Sequence, residues 1–76
     1  MKELLEHIAR LLVDHPDDVS VTEVDGDGEL ILELRVADDD MGKVIGKQGR
    51  IAKAIRVVMK AAAVNEDRKV VVEIVQ

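Results

Sequence analysis

Gly46 and Gly49 stand three apart and enclose Lys47 and Gln48. Two glycines at this spacing let a backbone turn sharply with no Cβ in the way. A turn of that kind can bring amide N–H groups close to a phosphate, and the positive end of a following helix adds to the attraction. Lys47 puts a charge at the tip and Gln48 a hydrogen-bond donor. The same spacing also suits an ordinary corner between two helices. Other glycine signatures fail: a P-loop needs four residues before its Gly-Lys and a Ser or Thr after it, whereas three separate Gly42 from Gly46 and Gln48 follows Lys47. The Gly-x-Gly of a dinucleotide site, in register with a strand and helix, is missing too.

The remaining reactive side chains point to no catalysis. His7 and His15 have neither a cysteine nor a Ser–His–Asp arrangement to converge with, so both are expected at the surface. Asp38-Asp39-Asp40 reads as a helix N-cap with first-turn carboxylates rather than a cation site. Asp25-Gly26-Asp27-Gly28 opens like an EF-hand loop, but Leu30 stands where that loop needs glycine, so it is a turn. The expected protein is not an enzyme and takes no metal or other cofactor.

Charge is divided sharply along the chain. The total is −5, yet residues 1–40 hold 3 basic and 13 acidic side chains, and residues 41–76 hold 8 basic and 3 acidic. Lys43, Lys47, Arg50, Lys53, Arg56 and Lys60 follow one another with no acid between Met41 and Lys60. One face for a polyanion and another that repels it would produce this pattern, as would a solvated basic helix face. The absence of cysteine excludes disulfides and thiolate metal sites. The charged start, MKELLEHIAR, is neither a signal peptide nor a membrane span, which makes a cytoplasmic protein the expectation.

These residues need elements to position them. Leu4, Leu5, Ile8, Leu11 and Leu12 form the stripe of an amphipathic helix over 2–14, with Glu6 and Arg10 paired outside it. Pro16 stops it near His15. Val19 to Val24 and Glu29 to Val36 read as strands of a hairpin around residues 25–28, with Leu30, Leu32, Leu34 and Val36 facing one way. Only Ile31 breaks the alternation. A short helix to about Ile45, the glycine loop and a helix from about Arg50 to Ala63 follow. That helix is expected to bury Ile51, Ile55, Val58 and Ala62 opposite Lys53, Arg56 and Lys60. Lys69 to Val75 forms the last strand, parallel to Glu29–Val36 because a helical crossover leads to it. The order α-β-β-α-α-β makes an α+β sandwich: a three-stranded mixed sheet with three helices packed on one face. With 76 residues and no aromatic side chain, the core must be thin and aliphatic.

Val44-Ile45-Gly46-Lys47-Gln48-Gly49-Arg50 between two helices, inside this order of elements, closely resembles the KH motif with its GxxG loop. The order resembles the type II KH domain, and the resemblance covers residues 1–76 as a single KH domain. In length and in the run from Met41 to Ala63, the chain is similar to the small stand-alone bacterial KH-domain RNA-binding proteins of the KhpA type. That resemblance implies a groove between loop and sheet for about four nucleotides of single-stranded RNA. Gly46, Lys47, Gln48 and Gly49 would clamp the backbone, Ile45 would help form an apolar floor, and Lys43, Arg50 and Lys53 would flank the path. One departure is Ala52, where KH sequences often carry isoleucine. The missing aromatics fit, since RRM and many OB modules stack bases on Phe, Tyr or Trp.

The resemblance further implies an RNA chaperone or post-transcriptional regulator linked to cell-envelope and cell-shape control. It also implies self-pairing, or pairing with a larger KH protein of the Jag (KhpB) type. Ala54, Val57 and Ala61 form a small-residue strip that would suit such a contact. The rival reading is a non-catalytic interaction subunit whose glycine loop is only structural.

Overall fold

The structure is a computed structural model that describes residues 1–75, apart from the side chain of Lys47. Helix α1 (Lys2–Leu12) ends as Val13 turns extended, and a single 3-10 turn, Pro16–Asp18, leads into the sheet. Strands β1 (Ser20–Gly26) and β2 (Glu29–Arg35) form an antiparallel hairpin whose register pairs Gly26 with Glu29. Gly28, with φ of 70°, takes the left-handed position that this two-residue turn requires.

Helical hydrogen bonding then runs from Asp38 to Ala62 (α2). Gln48 and Gly49 have φ of 64° and 69°, values outside any right-handed helix. α2 is therefore two helical arms joined at a two-residue corner, shorter than the four-residue loop expected. Strand β3 (Lys69–Val75) closes the sheet in the order β1-β2-β3, parallel to β2 with Leu32 opposite Val72. The architecture is the α-β-β-α-α-β mixed sheet expected.

The core lies between the sheet and the helices. Leu5 and Ala9 of α1, Val21 of β1, Leu30, Leu32 and Leu34 of β2, Ile55 and Met59 of α2, and Val72 of β3 make one buried cluster. The three leucines of β2 sit on one face because side chains alternate along a strand. Two expectations fail here. On the second arm of α2 the buried side chains are Ala52, Ile55 and Met59, while Val58 is 46% exposed and Ala62 is also exposed. The helix is rolled so that the Ile55–Met59 edge, one helical turn apart, meets the sheet. On α1, Leu4, Leu11 and Leu12 of the expected stripe are exposed, Leu11 by 71%, and the residues fully buried are Leu5 and the small Ala9.

The third difference concerns Asp38-Asp39-Asp40. All three lie in the first turn of α2, but its N-cap residue is Ala37, and no side chain caps it. Asp40 turns inward instead and is almost fully buried. Its carboxylate accepts N–H bonds from Asp14 at 3.0 Å and His15 at 2.9 Å, the residues that leave α1. An acid near the start of α2 thus ties it to the end of α1.

Candidate nucleic-acid interface

Both arms beside the corner are anchored in the core. Met41 and Val44 bury the first arm, and Ala52 and Ile55 the second. Asp40 fixes where the first arm starts. Burial pushes the Asp40 carboxyl pKa up, but the Asp14 and His15 amide bonds, with the charges of His15 and Lys43, outweigh it. The group is held below its ordinary value and stays ionised.

At the corner itself, Gly49 occupies a conformation that side chains rarely adopt, and Gln48, exposed beside it, adopts the same region without being glycine. Gly46 differs from both. It has no positive φ, and a Cβ built there would meet nothing within 4 Å. The side chain of Lys47, expected at the tip, lies outside the described residues.

The expected flanking residues separate around the first arm. Lys43 and Ile45 are two positions apart on a helix, about 160° around its axis, so they serve opposite flanks. Lys43 lies 3.3 Å from the Asp14 carboxylate and lines a cleft of about 170 Å³ with Gly42, Gly46, Arg50 and Ile51. Ile45, 49% exposed, is on the other side. Lys53 is exposed on the second arm, and Ala52, where the motif departs from its usual isoleucine, is buried beneath. Ala54, Val57 and Ala61 are all exposed along the same arm, Val57 by 68%.

A larger cleft, about 440 Å³, opens between the second arm of α2 and β3. Arg56, Lys60, Arg68 and Lys69 surround a floor that includes Met59, Val70 and Val72. Sequence reasoning placed Arg56 and Lys60 on a basic stripe but missed Arg68 and Lys69. They are brought in because β3, an edge strand, runs back along the helix that precedes it. The one available signal was the basic pair immediately before the last apolar run. Arg68 pairs with Asp25 at the end of the hairpin. Cationic rim and aliphatic floor together suit a chain of phosphates carrying flat apolar bases, without aromatic stacking.

His7 and His15 are both exposed, and His15 Nε2 lies 3.7 Å from an Asp39 oxygen. Among the described residues no group of three or more His, Asp or Glu is placed to hold a metal ion, and no helix is long and apolar enough to cross a membrane.

Comparison with known proteins places this geometry. The family model for the KhpA/KhpB KH domain matches residues 2–74. A protein of Clostridium acetobutylicum named RNA-binding protein KhpA is 69% identical over 75 residues, covering 99% of this chain and all of that protein. Its namesake in Clostridium perfringens is 68% identical over the same coverage, and that of Listeria monocytogenes is 49% identical over the full length of both. Among solved structures, Aquifex aeolicus Era superposes with a TM-score of 0.67 at 22% identity, a likeness of fold. It covers 96% of this chain but only 28% of Era.

Proposed function

The chain belongs to the KhpA/KhpB KH-domain family, and from that premise we propose that it binds single-stranded RNA at the Gly46–Gly49 corner. It does so without catalysis and with little discrimination between bases. The relatives' shared name, RNA-binding protein KhpA, supports the substrate class. Gly46, Lys47, Gln48 and Gly49 clamp the backbone, with Lys43, Arg50 and Lys53 along its flanks and Ile45 as an apolar contact. The cleft beside β3 continues the path. The protein acts in the cytoplasm as a single KH module, an RNA chaperone or post-transcriptional regulator that serves cell-envelope and cell-shape control.

The observation that carries this reading is Gly46. The fold needs no glycine there, because the backbone is not left-handed and the space where a Cβ would stand is empty. What that space admits comes from outside, beside the cations of Lys43 and Arg50.

The test replaces Lys47 and Gln48 with Asp and keeps both glycines. One positive charge is lost and two negative ones gained where the phosphate is to sit, so RNA affinity should fall at least about tenfold, or about 1.4 kcal/mol. Gln48 is exposed and Asp tolerates the left-handed backbone it adopts, so the melting temperature should hardly move. A folded double variant that binds RNA as the parent does would end the clamp reading.

A second reading is favoured by the apolar side chains left exposed along α2 and just beyond its end. Val57, Val58 and Val64 are 68%, 46% and 78% exposed, with Ala54 and Ala61 beside Val57. On this reading the protein pairs through that strip with itself or with a larger KhpB-type KH partner, and the glycine corner is structural.

A further inference from the structure

We propose that Asp25 is a brake on RNA binding: its carboxylate withholds Arg68 from the phosphate path in the α2–β3 cleft. The inference rests on the RNA-binding reading above. Of the four cations around that cleft, Arg68 is the one that forms an ion pair among the described residues. Its partner stands on a hairpin end that carries Asp25, Asp27 and Glu29 and no basic residue. That end is fixed against β3, because the Lys69 N–H donates to the Gly28 carbonyl at 3.1 Å and Gly26 pairs with Glu29. The Asp25 side chain is nonetheless 75% exposed. An acid paired to a cation of a basic cleft opposes an incoming polyanion, because it neutralises one of the four receiving charges.

A structural role alone would make the pair a tether between hairpin and β3. Exposed pairs of this kind are weak, and the backbone bonds already hold the hairpin in place. The consequence belongs to binding, where removing Asp25 should release one further cation for phosphate. Affinity and its salt dependence then change together, while folding does not.

The experiment titrates a fluorescein-labelled 12-nucleotide oligouridine by anisotropy at several salt concentrations. Asp25→Asn should bind at least threefold tighter than the parent at low salt. Its slope of log K against log salt should steepen by about 0.7, the increment for one more phosphate contact on a single strand. Asp25→Glu, which can keep the pair, and Asp27→Asn, which removes a neighbouring charge outside it, should stay within about twofold of the parent. Arg68→Gln alone should change little, and in the Asp25→Asn background it should abolish the gain. Asp25→Ser provides a second neutral variant should the first fold poorly. An unchanged Asp25→Asn, or a gain that survives Arg68→Gln, overturns the brake while leaving the clamp reading intact. A parent that binds no oligouridine overturns both.

Discussion

Gly49 and Gly46 are spaced as one motif, yet their backbones need different things. Gly49, at φ of 69°, would strain almost any side chain, whereas Gly46 is helical and a Cβ there would meet nothing within 4 Å. Alanine in a helix is more favourable than glycine by about 0.5–1 kcal/mol. Gly46→Ala should therefore leave the fold intact and raise the melting temperature by a few degrees. On the clamp reading the same methyl group stands where the RNA backbone approaches, so affinity should drop at least about threefold, or about 0.7 kcal/mol. Melting curves read beside anisotropy titrations check both signs. A variant that is more stable and binds equally well would show that the open space is unused. The motif itself was legible in the sequence. Its division of labour was not, because φ is set by how the two arms dock, and Gln48 gives no sign that it takes a left-handed conformation. Asp40 was likewise visible only as a first-turn acid, since its amide partners lie 25 and 26 positions away.

The elements that obeyed a simple period were legible. β3 is Lys69–Val75, as a bounded apolar run predicts, and its parallel pairing follows from the helical crossover. Wheel reasoning succeeded less well on α2, whose second arm is exposed at Val58 and buried at Met59. The small Ala52 lets that arm approach closely, and the resulting roll could not be read from amphipathicity alone. Two predictions belong to this scale. Asp40 joins α2 to α1 with a pKa held below its ordinary value. A depressed carboxylate contributes stability above the unfolded-state pKa, about 3.9, and loses it as pH falls through the lower folded value. Asp40→Asn should lower the melting temperature at pH 7, because an amide cannot accept from both N–H groups. It should also flatten the decline in melting temperature between about pH 5 and 2. A variant with the parent's acid limb would show that Asp40 is not its source. Val57→Glu tests the exposed strip. At 68% exposure the change should cost within about 0.5 kcal/mol of stability. On the pairing reading, sedimentation should show dimer giving way to monomer with circular dichroism unchanged. An unaltered mass would take Val57 out of the interface.

Charge is organised across the whole molecule: folding gathers cations of the second half around two clefts, while the Lys43–Asp14 and Arg68–Asp25 pairs join the two halves. The net −10 of residues 1–40 is spread over α1, the 3-10 turn, the hairpin and the first turn of α2. The net +5 of residues 41–76 gathers on α2 and at the start of β3, around the cleft beside the corner and the one against β3. That grouping was half legible: the basic run showed in the sequence, but only the crossover unites Arg56 and Lys60 with Arg68 and Lys69. An overall acidic protein can bind a polyanion only if the local field outweighs the distant one. At 0.15 M salt the Debye length is about 8 Å, shorter than the 34 Å long axis of the molecule, so acids at the far end are largely screened. Lowering the salt strengthens nearby attraction but also extends the reach of those acids. If RNA engages three or four phosphates along the corner and its flanks, the single-strand counterion relation gives a slope of log K against log salt of about −2 to −3. At very low salt, as the Debye length grows to about 30 Å, the acidic surfaces come into range and the line should bend toward weaker binding than extrapolation gives. Anisotropy titrations with oligouridine from about 0.01 to 0.3 M salt would record both features. A dependence flat throughout would mean that the basic surface does not hold the RNA, and would favour the reading in which the protein is an interaction subunit.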